Sequence, residues 1–132
     1  MNNSKVMSRK KKIIIGILIG LIGIIIISII EDNYLENLKK EYSNDIRDES
    51  NINAKVISII PWHGVTFIYL SNNKKYWIDN SRNYNYDNIF IDDNINVGDS
   101  IMKKSNSDSL WIKSSKGELV FVVGEWINKP KK

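Results

Sequence analysis

The chain has 132 residues, room for one small domain with appendages, and it lacks cysteine, which excludes disulfides, thiol catalysis, cysteine-ligated zinc and cysteine lipidation. Its formal charge of +4 is unevenly placed: Lys5, Arg9, Lys10, Lys11 and Lys12 supply five of the 19 bases, leaving 14 bases against 15 acids, or −1, for everything after residue 12. A nucleic-acid footprint needs positive charge gathered on the folded part, so the distribution argues against a nucleic-acid partner and for a topology signal beside an apolar run.

That run is residues 13–30: twelve Ile, two Leu, three Gly and Ser28, with no charge. As a helix it is about 27 Å long at ~1.5 Å per residue, slightly under a hydrocarbon core of roughly 30 Å, and Lys11 and Lys12 can snorkel to cover the difference. Large apolar side chains favour insertion by about 0.3–0.6 kcal/mol each, and a lone span in lipid must satisfy its own backbone polar groups, which leaves helix as the only choice. Two other readings are open. A cleaved signal peptide has an apolar stretch of ~7–15 residues ending in small side chains, whereas this one ends Ser28-Ile29-Ile30-Glu31-Asp32. A buried helix of a soluble domain has no need of five flanking cations. The expectation is a single-pass anchor, integral to the membrane, with the basic arm (1–12) in the cytoplasm and the C-terminal region periplasmic or extracellular. Gly16, Gly20 and Gly23 fall on one face in a small-xxx-small pattern, a candidate helix-pairing surface for a homo-oligomer.

Residues 31–49 are polar, with Leu35, Leu38, Tyr42 and Ile46 at helical spacing; they predict a short juxtamembrane helical stalk whose stripe packs on its own domain, with Tyr34 and Tyr42 near the headgroups. From Asn51 the period becomes two. Ile52, Ala54 and Val56 alternate into an apolar run over 57–60; Val65, Phe67 and Tyr69 share a face, as do Tyr76 and Ile78, then Leu110 and Ile112, then Leu119, Phe121 and Val123. Turns fall at Pro61-Trp62-His63-Gly64, Ser71-Asn72-Asn73 and Ser114-Ser115-Lys116-Gly117, and Val97-Gly98-Asp99 turns into a short strand at Ile101. The stretch 80–93 reads as a long connection in which Ile89-Phe90-Ile91 has the makings of a paired segment. The predicted fold is mainly β: after the transmembrane and juxtamembrane helices, a small antiparallel barrel-like domain over 50–128, in the size range of OB and SH3 domains, then a tail over 129–132. Trp62, Phe67, Trp77, Trp111, Phe121 and Trp126 are the aromatic core candidates.

The segment Val97-Gly98-Asp99-Ser100-Ile101, with Lys103-Lys104, Ser109-Leu110 and Ile112 followed by a glycine turn and an aromatic strand, resembles a group of short membrane-anchored proteins of Bacteroidota. The resemblance implies a basic arm, one apolar span and a small β domain, and it carries over no functional residue.

The chemical inventory is thin. His63 is the one histidine and no Gly-x-Ser-x-Gly nucleophile accompanies it. Asp92 and Asp93, near Asp87 and Asp99, form the densest acidic cluster, but their spacing fails the Asp-x-Asp-x-Asp-Gly calcium loop and reads as solvated loop acids. Lys74-Lys75-Tyr76-Trp77 with Tyr84 and Tyr86 interleaves bases and aromatics, yet alternation sends Tyr76 and Trp77 to opposite faces. No catalytic, metal or cofactor residue is assigned. The expectation is a non-enzymatic binding or interaction module of the cell envelope, with Tyr76, Trp77, Tyr84 and Tyr86 as the candidate contact surface for a protein or envelope component. The alternatives are a small accessory subunit of a membrane complex, held through the glycine face, and a small extracytoplasmic hydrolase using Asp92, Asp93 or His63.

Overall fold

The computed structural model describes residues 9–115 and 117–131; Lys5 of the basic arm, Lys116 of the last predicted turn and Lys132 of the tail lie outside the described residues. Contacts divide the chain into two compact units, 1–37 and 38–132.

One helix, α1 (Arg9–Glu41), has 33 residues and carries the whole apolar run; none of its most apolar window is buried, and it is long and apolar enough to cross a membrane. At ~1.5 Å per residue it is about 50 Å long. It takes in the first part of the expected stalk without a break. Lys39 and Lys40 sit in its last turn, where cations suit the exposed carbonyls. Beyond it, Asp45 accepts the backbone N–H of Arg47 at 2.9 Å and caps a single 3-10 turn, η1 (Ile46–Asp48). Three of the four residues of the predicted stripe are buried, Leu38 and Tyr42 at 5 % exposure and Ile46 completely, whereas Leu35 is half-buried and belongs to the first unit. Tyr42 therefore leaves the headgroup role, because its ring packs edge-on against Phe67 with centroids 5.4 Å apart.

The strands are β1 (Asn44–Asp45), β2 (Ile52–Trp62), β3 (Val65–Leu70), β4 (Lys75–Ile78), β5 (Arg82–Asn83), β6 (Ser100–Lys103), β7 (Ser109–Ser114), β8 (Gly117–Val122) and β9 (Trp126–Ile127). Seven of them form one sheet in the order β1-β4-β3-β2-β6-β7-β8, with β1 parallel to β4 and the other ladders antiparallel. The 11-residue β2 is its spine: residues 52–55 pair with β6, and 56–62 pair with β3. The register shifts between Val56 and Ser58, leaving Ile57 as an extra residue, the kind of bulge that sharpens strand twist. β2 and β3 meet at His63-Gly64, both at positive φ (44° and 84°), the mirror-image turn whose twist suits a tight hairpin.

The enclosed face carries the core: Ile52, Ala54 and Val56 of β2, Ile68 and Leu70 of β3, Tyr76 and Ile78 of β4, then Ile101, Leu110, Ile112 and Phe121, with Ile91 and Ile95 added from the 80–99 connection. The inward residues of β3 are thus Ile68 and Leu70. The Val65, Phe67 and Tyr69 face is real but opposite, and Phe67 is buried there under Tyr42. The aromatic core is also smaller than expected. Phe67 and Phe121 are fully buried, whereas Trp62, Trp77 and Trp111 are half-buried and Trp126 is 44 % exposed. Isoleucine and leucine fill the narrow interior, and the large indoles, whose N–H needs a partner, stay at its margins.

The sheet is not a closed barrel: among the described residues no ladder joins β1 to β8. Side chains occupy the outer edge of β8 instead. The Val120 N–H donates to Tyr86 Oη at 2.9 Å, and the Val120 carbonyl accepts from Asn83 Nδ2 at 2.9 Å. These residues belong to the predicted long connection. There β5 pairs in parallel with β9, and Arg82 bridges to Phe90, so the Ile89-Phe90-Ile91 segment does pair.

Candidate functional site

Asn83 organises the connection. It is 1 % exposed, and beyond its bond to Val120 its Oδ1 accepts the Asn85 N–H and the Asn128 side-chain amide, each at 3.0 Å. Its backbone N–H donates to Ile89 at 2.8 Å. Asn94 closes the loop from within, its amide donating to the carbonyls of Asn88 (2.5 Å) and Phe90 (2.7 Å). The loop so held, together with Leu119, frames an open cavity of about 310 Å³ lined by Asn85, Tyr86, Asp87, Asn88 and Asn94. A smaller recess of about 40 Å³ shares Asn94 and Leu119 and adds Asp93, Asn96, Ser114 and Ser115. Among the described residues, planar amides, two carboxylates, a phenol, two serine hydroxyls and one aliphatic side chain line the groove and recess and give them hydrogen-bonding capacity of both signs.

At the start of the domain, Glu49 accepts from Tyr76 Oη at 2.6 Å and from Lys74 Nζ at 2.9 Å. The Tyr76 bond, then the lysine, hold the Glu49 carboxyl below its ordinary value; burial and then that carboxylate push the Tyr76 phenol up. Lys103, 2 % exposed, donates to the carbonyls of Arg47 (3.0 Å) and Glu49 (2.5 Å), pinning η1 to β6. Arg47 pairs with Asp45 at 2.6 Å, a bond that raises the guanidinium further, and lies over the Trp77 ring at 5.7 Å. Lys75 bridges to Glu41 at 2.5 Å, with its ammonium raised by that bond. These groups tie one another in place.

The four expected contact aromatics are dispersed. Tyr76 is fully buried as a core residue, so it cannot form an outer surface; strand alternation, with Ile78 on the same face, draws it inward. Trp77 is half-buried beneath Arg47. Tyr86 lines the groove while its hydroxyl holds Val120, and Tyr84 is half-buried nearby in sequence. His63 is exposed in its hairpin turn, 5.0 Å edge-on from Trp62, and is absent from the lining of the groove and recess that hold Asp87 and Asp93. Asp99 accepts the Asn96 N–H at 2.8 Å within its own turn. Gly16, Gly20 and Gly23 have open space where a Cβ would point. No group of three metal-ligating side chains occurs among the described residues.

Sequence reasoning missed Asn83 and Arg82. The Arg82 guanidinium lies 3.8 Å from the Trp126 ring centre and 4.3 Å from that of Phe90. Its partners are eight and 44 residues away in the chain, beyond the reach of any local pattern.

Fold and site define a small, mostly β domain that follows a helix long and apolar enough to span a bilayer. No family model, curated protein or solved structure matches the chain.

Proposed function

We propose that this chain is a single-pass membrane protein that carries its β domain across the bilayer from the basic arm and uses it as a non-enzymatic binding module of the cell envelope. The observation that carries this reading is the helix α1: its apolar run is exposed over its full length, next to Arg9, Lys10, Lys11 and Lys12, in a chain whose other unit has a well-filled core of its own. Such a surface is unstable in water and at home in lipid, and flanking cations are retained on the cytoplasmic side. The contact surface on this reading is the groove of Asn85, Tyr86, Asp87, Asn88 and Asn94, with Tyr84 beside it in sequence. The 80–93 connection, held against β8 through Asn83 and Tyr86, supplies most of the side chains that line this groove.

The absence of native cysteine makes the test direct. Single Asn3→Cys and Asn88→Cys chains are exposed to a membrane-impermeant maleimide in spheroplasts and after lysis. Residue 88 should label before lysis and residue 3 only afterwards. The reverse pattern, or a mature protein lacking its first thirty residues, overturns the placement. Binding is tested with a photo-cross-linker at residue 88 in intact cells: recurrent adducts to one protein or glycan support it, and adducts to lipid alone overturn it.

A second reading, a subunit held through the helix in a larger complex or homo-oligomer, rests on Gly16, Gly20 and Gly23 sharing one open face.

A further inference from the structure

The stacking around Arg82 sets up an interaction that nothing among the described residues completes. β5 and β9 place Arg82 directly beside Trp126 in register, and the bridge to Phe90 brings a second ring to its other neighbouring strand position. The guanidinium lies over both rings, at 3.8 Å and 4.3 Å, and Lys129 Nζ lies 4.5 Å from the same Trp126 centroid. Rings on the faces of a guanidinium leave its N–H donors to act in the plane. Of those donors, Nε reaches Asn80 Oδ1 at 3.3 Å; the terminal nitrogens have no acceptor among the described residues. The nearest acid in sequence to the stack is Glu125, which accepts the Arg82 backbone N–H through its carbonyl at 2.9 Å but forms no ion pair with Arg82 or Lys129. Arg47, Lys74 and Lys75, by contrast, each hold a carboxylate partner at 2.9 Å or less.

We propose that Arg82, clamped by Phe90 and Trp126 and flanked by Lys129, is a binding site for an oxyanion, a phosphoryl or carboxylate group presenting two oxygens to the open edge of the guanidinium. An arginine in solution must give up side-chain freedom to make a two-pronged contact; this one is already held in a single plane by its neighbours, so less freedom is lost on binding. The flanking rings lower the local polarity on either side, which strengthens a charge-assisted hydrogen bond at the edge. Lys129, 4.5 Å from the same Trp126 ring centre, adds a second positive charge. The site lies apart from the amide-lined groove and does not depend on which side of a membrane the domain occupies.

The same chemistry is offered by a free or polymer-borne group and by an anionic lipid headgroup, and the experiment separates them. The full chain, labelled with ¹⁵N, is placed in nanodiscs of zwitterionic lipid. Only Arg9, Arg47 and Arg82 contribute arginine Nε–H signals. Inorganic phosphate and acetate are titrated against chloride at matched ionic strength, and a second set of nanodiscs contains anionic lipid with no added phosphate. A saturable shift at Arg82 beyond the chloride response, with millimolar affinity, supports the site and a soluble or polymer-borne ligand. A shift at Arg82 confined to anionic nanodiscs supports the site with a headgroup as ligand. An Arg82 signal that moves no more than with chloride in both arms overturns the proposal. Arg82→Lys, followed through the Trp126 indole N–H, keeps the charge but not the fork and should weaken binding at least tenfold; undiminished binding overturns the two-pronged geometry. The wild-type titration decides the matter even if that variant fails to fold.

Discussion

Replacing Asn83 with Ala removes one side chain that holds three parts of the domain together. Its amide donates to Val120 of β8, and its carbonyl oxygen accepts from Asn85 and from Asn128, all within 3.0 Å and at 1 % exposure. Three hydrogen bonds at about 0.5–1.5 kcal/mol net each come to about 3 kcal/mol, with the upper end favoured because the abandoned partners have little access to water. The unit 38–132 has 95 residues (132 − 37), and at roughly 0.05–0.15 kcal/mol per residue its total stability is about 5–14 kcal/mol, so a substantial fraction is at stake. The assay is urea unfolding of the full chain in detergent micelles, followed by tryptophan fluorescence. With a slope of roughly 1–3 kcal/mol per molar urea, the midpoint should fall by about 1–3 M. Amide exchange adds a local reading: the Asn85 N–H, which loses its acceptor, should exchange faster than amides of β2. A midpoint shift under about 0.3 M together with unchanged protection of Asn85 would refute the idea that this side chain carries the 80–93 connection.

Other outcomes follow from the same contacts. Lys103→Met keeps the apolar stem but strands the carbonyls of Arg47 and Glu49; a loss of about 1–3 kcal/mol in the same unfolding assay is expected, and no loss would mean that water replaces the ammonium. Glu49 is held below its ordinary value of 4.5, so its contribution is complete above that pH and disappears as the pH drops through the lower folded value. Stability measured downward from pH 5 should therefore decline more steeply in the wild type than in Tyr76→Phe, which lacks the principal cause of the shift; parallel profiles would refute the assignment. Gly124→Ala puts a side chain at φ +76° with a Cβ 3.3 Å from an Arg47 terminal nitrogen, and should cost about 1 kcal/mol by urea titration. Gly16→Leu combined with Gly20→Leu should abolish chemical cross-linking between copies in membranes if the glycine face pairs helices; undiminished cross-linking removes that face from consideration.

The parts of the fold that read out of the sequence are those with local causes. Eighteen uncharged residues beside four lysines and an arginine announce the helix. His63-Gly64 and Ser71-Asn72-Asn73 mark hairpins because the backbone there must turn within a few residues. Alternation places Ile52, Ala54, Leu110 and Ile112 inside correctly. What stayed hidden has distant causes. β1 exists because two residues after the helix meet β4, 32 positions on, and no pattern in Asn44-Asp45 foretells it. Phe67 is buried on the outer face of its sheet because Tyr42 covers it, which makes β3 apolar on both sides and blurs its alternation. Asn83 looks like Asn85, Asn88 and Asn94 in the sequence, and its importance comes from partners 37 and 45 residues away. Trp126 reads as a core residue by type, but its register opposite Arg82 keeps it at the surface.

Tyr86 and Asn83, meeting the two backbone groups of Val120, have a meaning for a chain whose apolar helix would confine many copies to one plane. Confinement raises the rate at which neighbours collide in similar orientations, and a bare strand is a template for joining one molecule to the next. With Val120, at the middle of the β8 edge, already engaged by a phenol and an amide, and the opposite edge ending in the two residues of β1, the sheet offers a neighbouring copy less unpaired backbone to join.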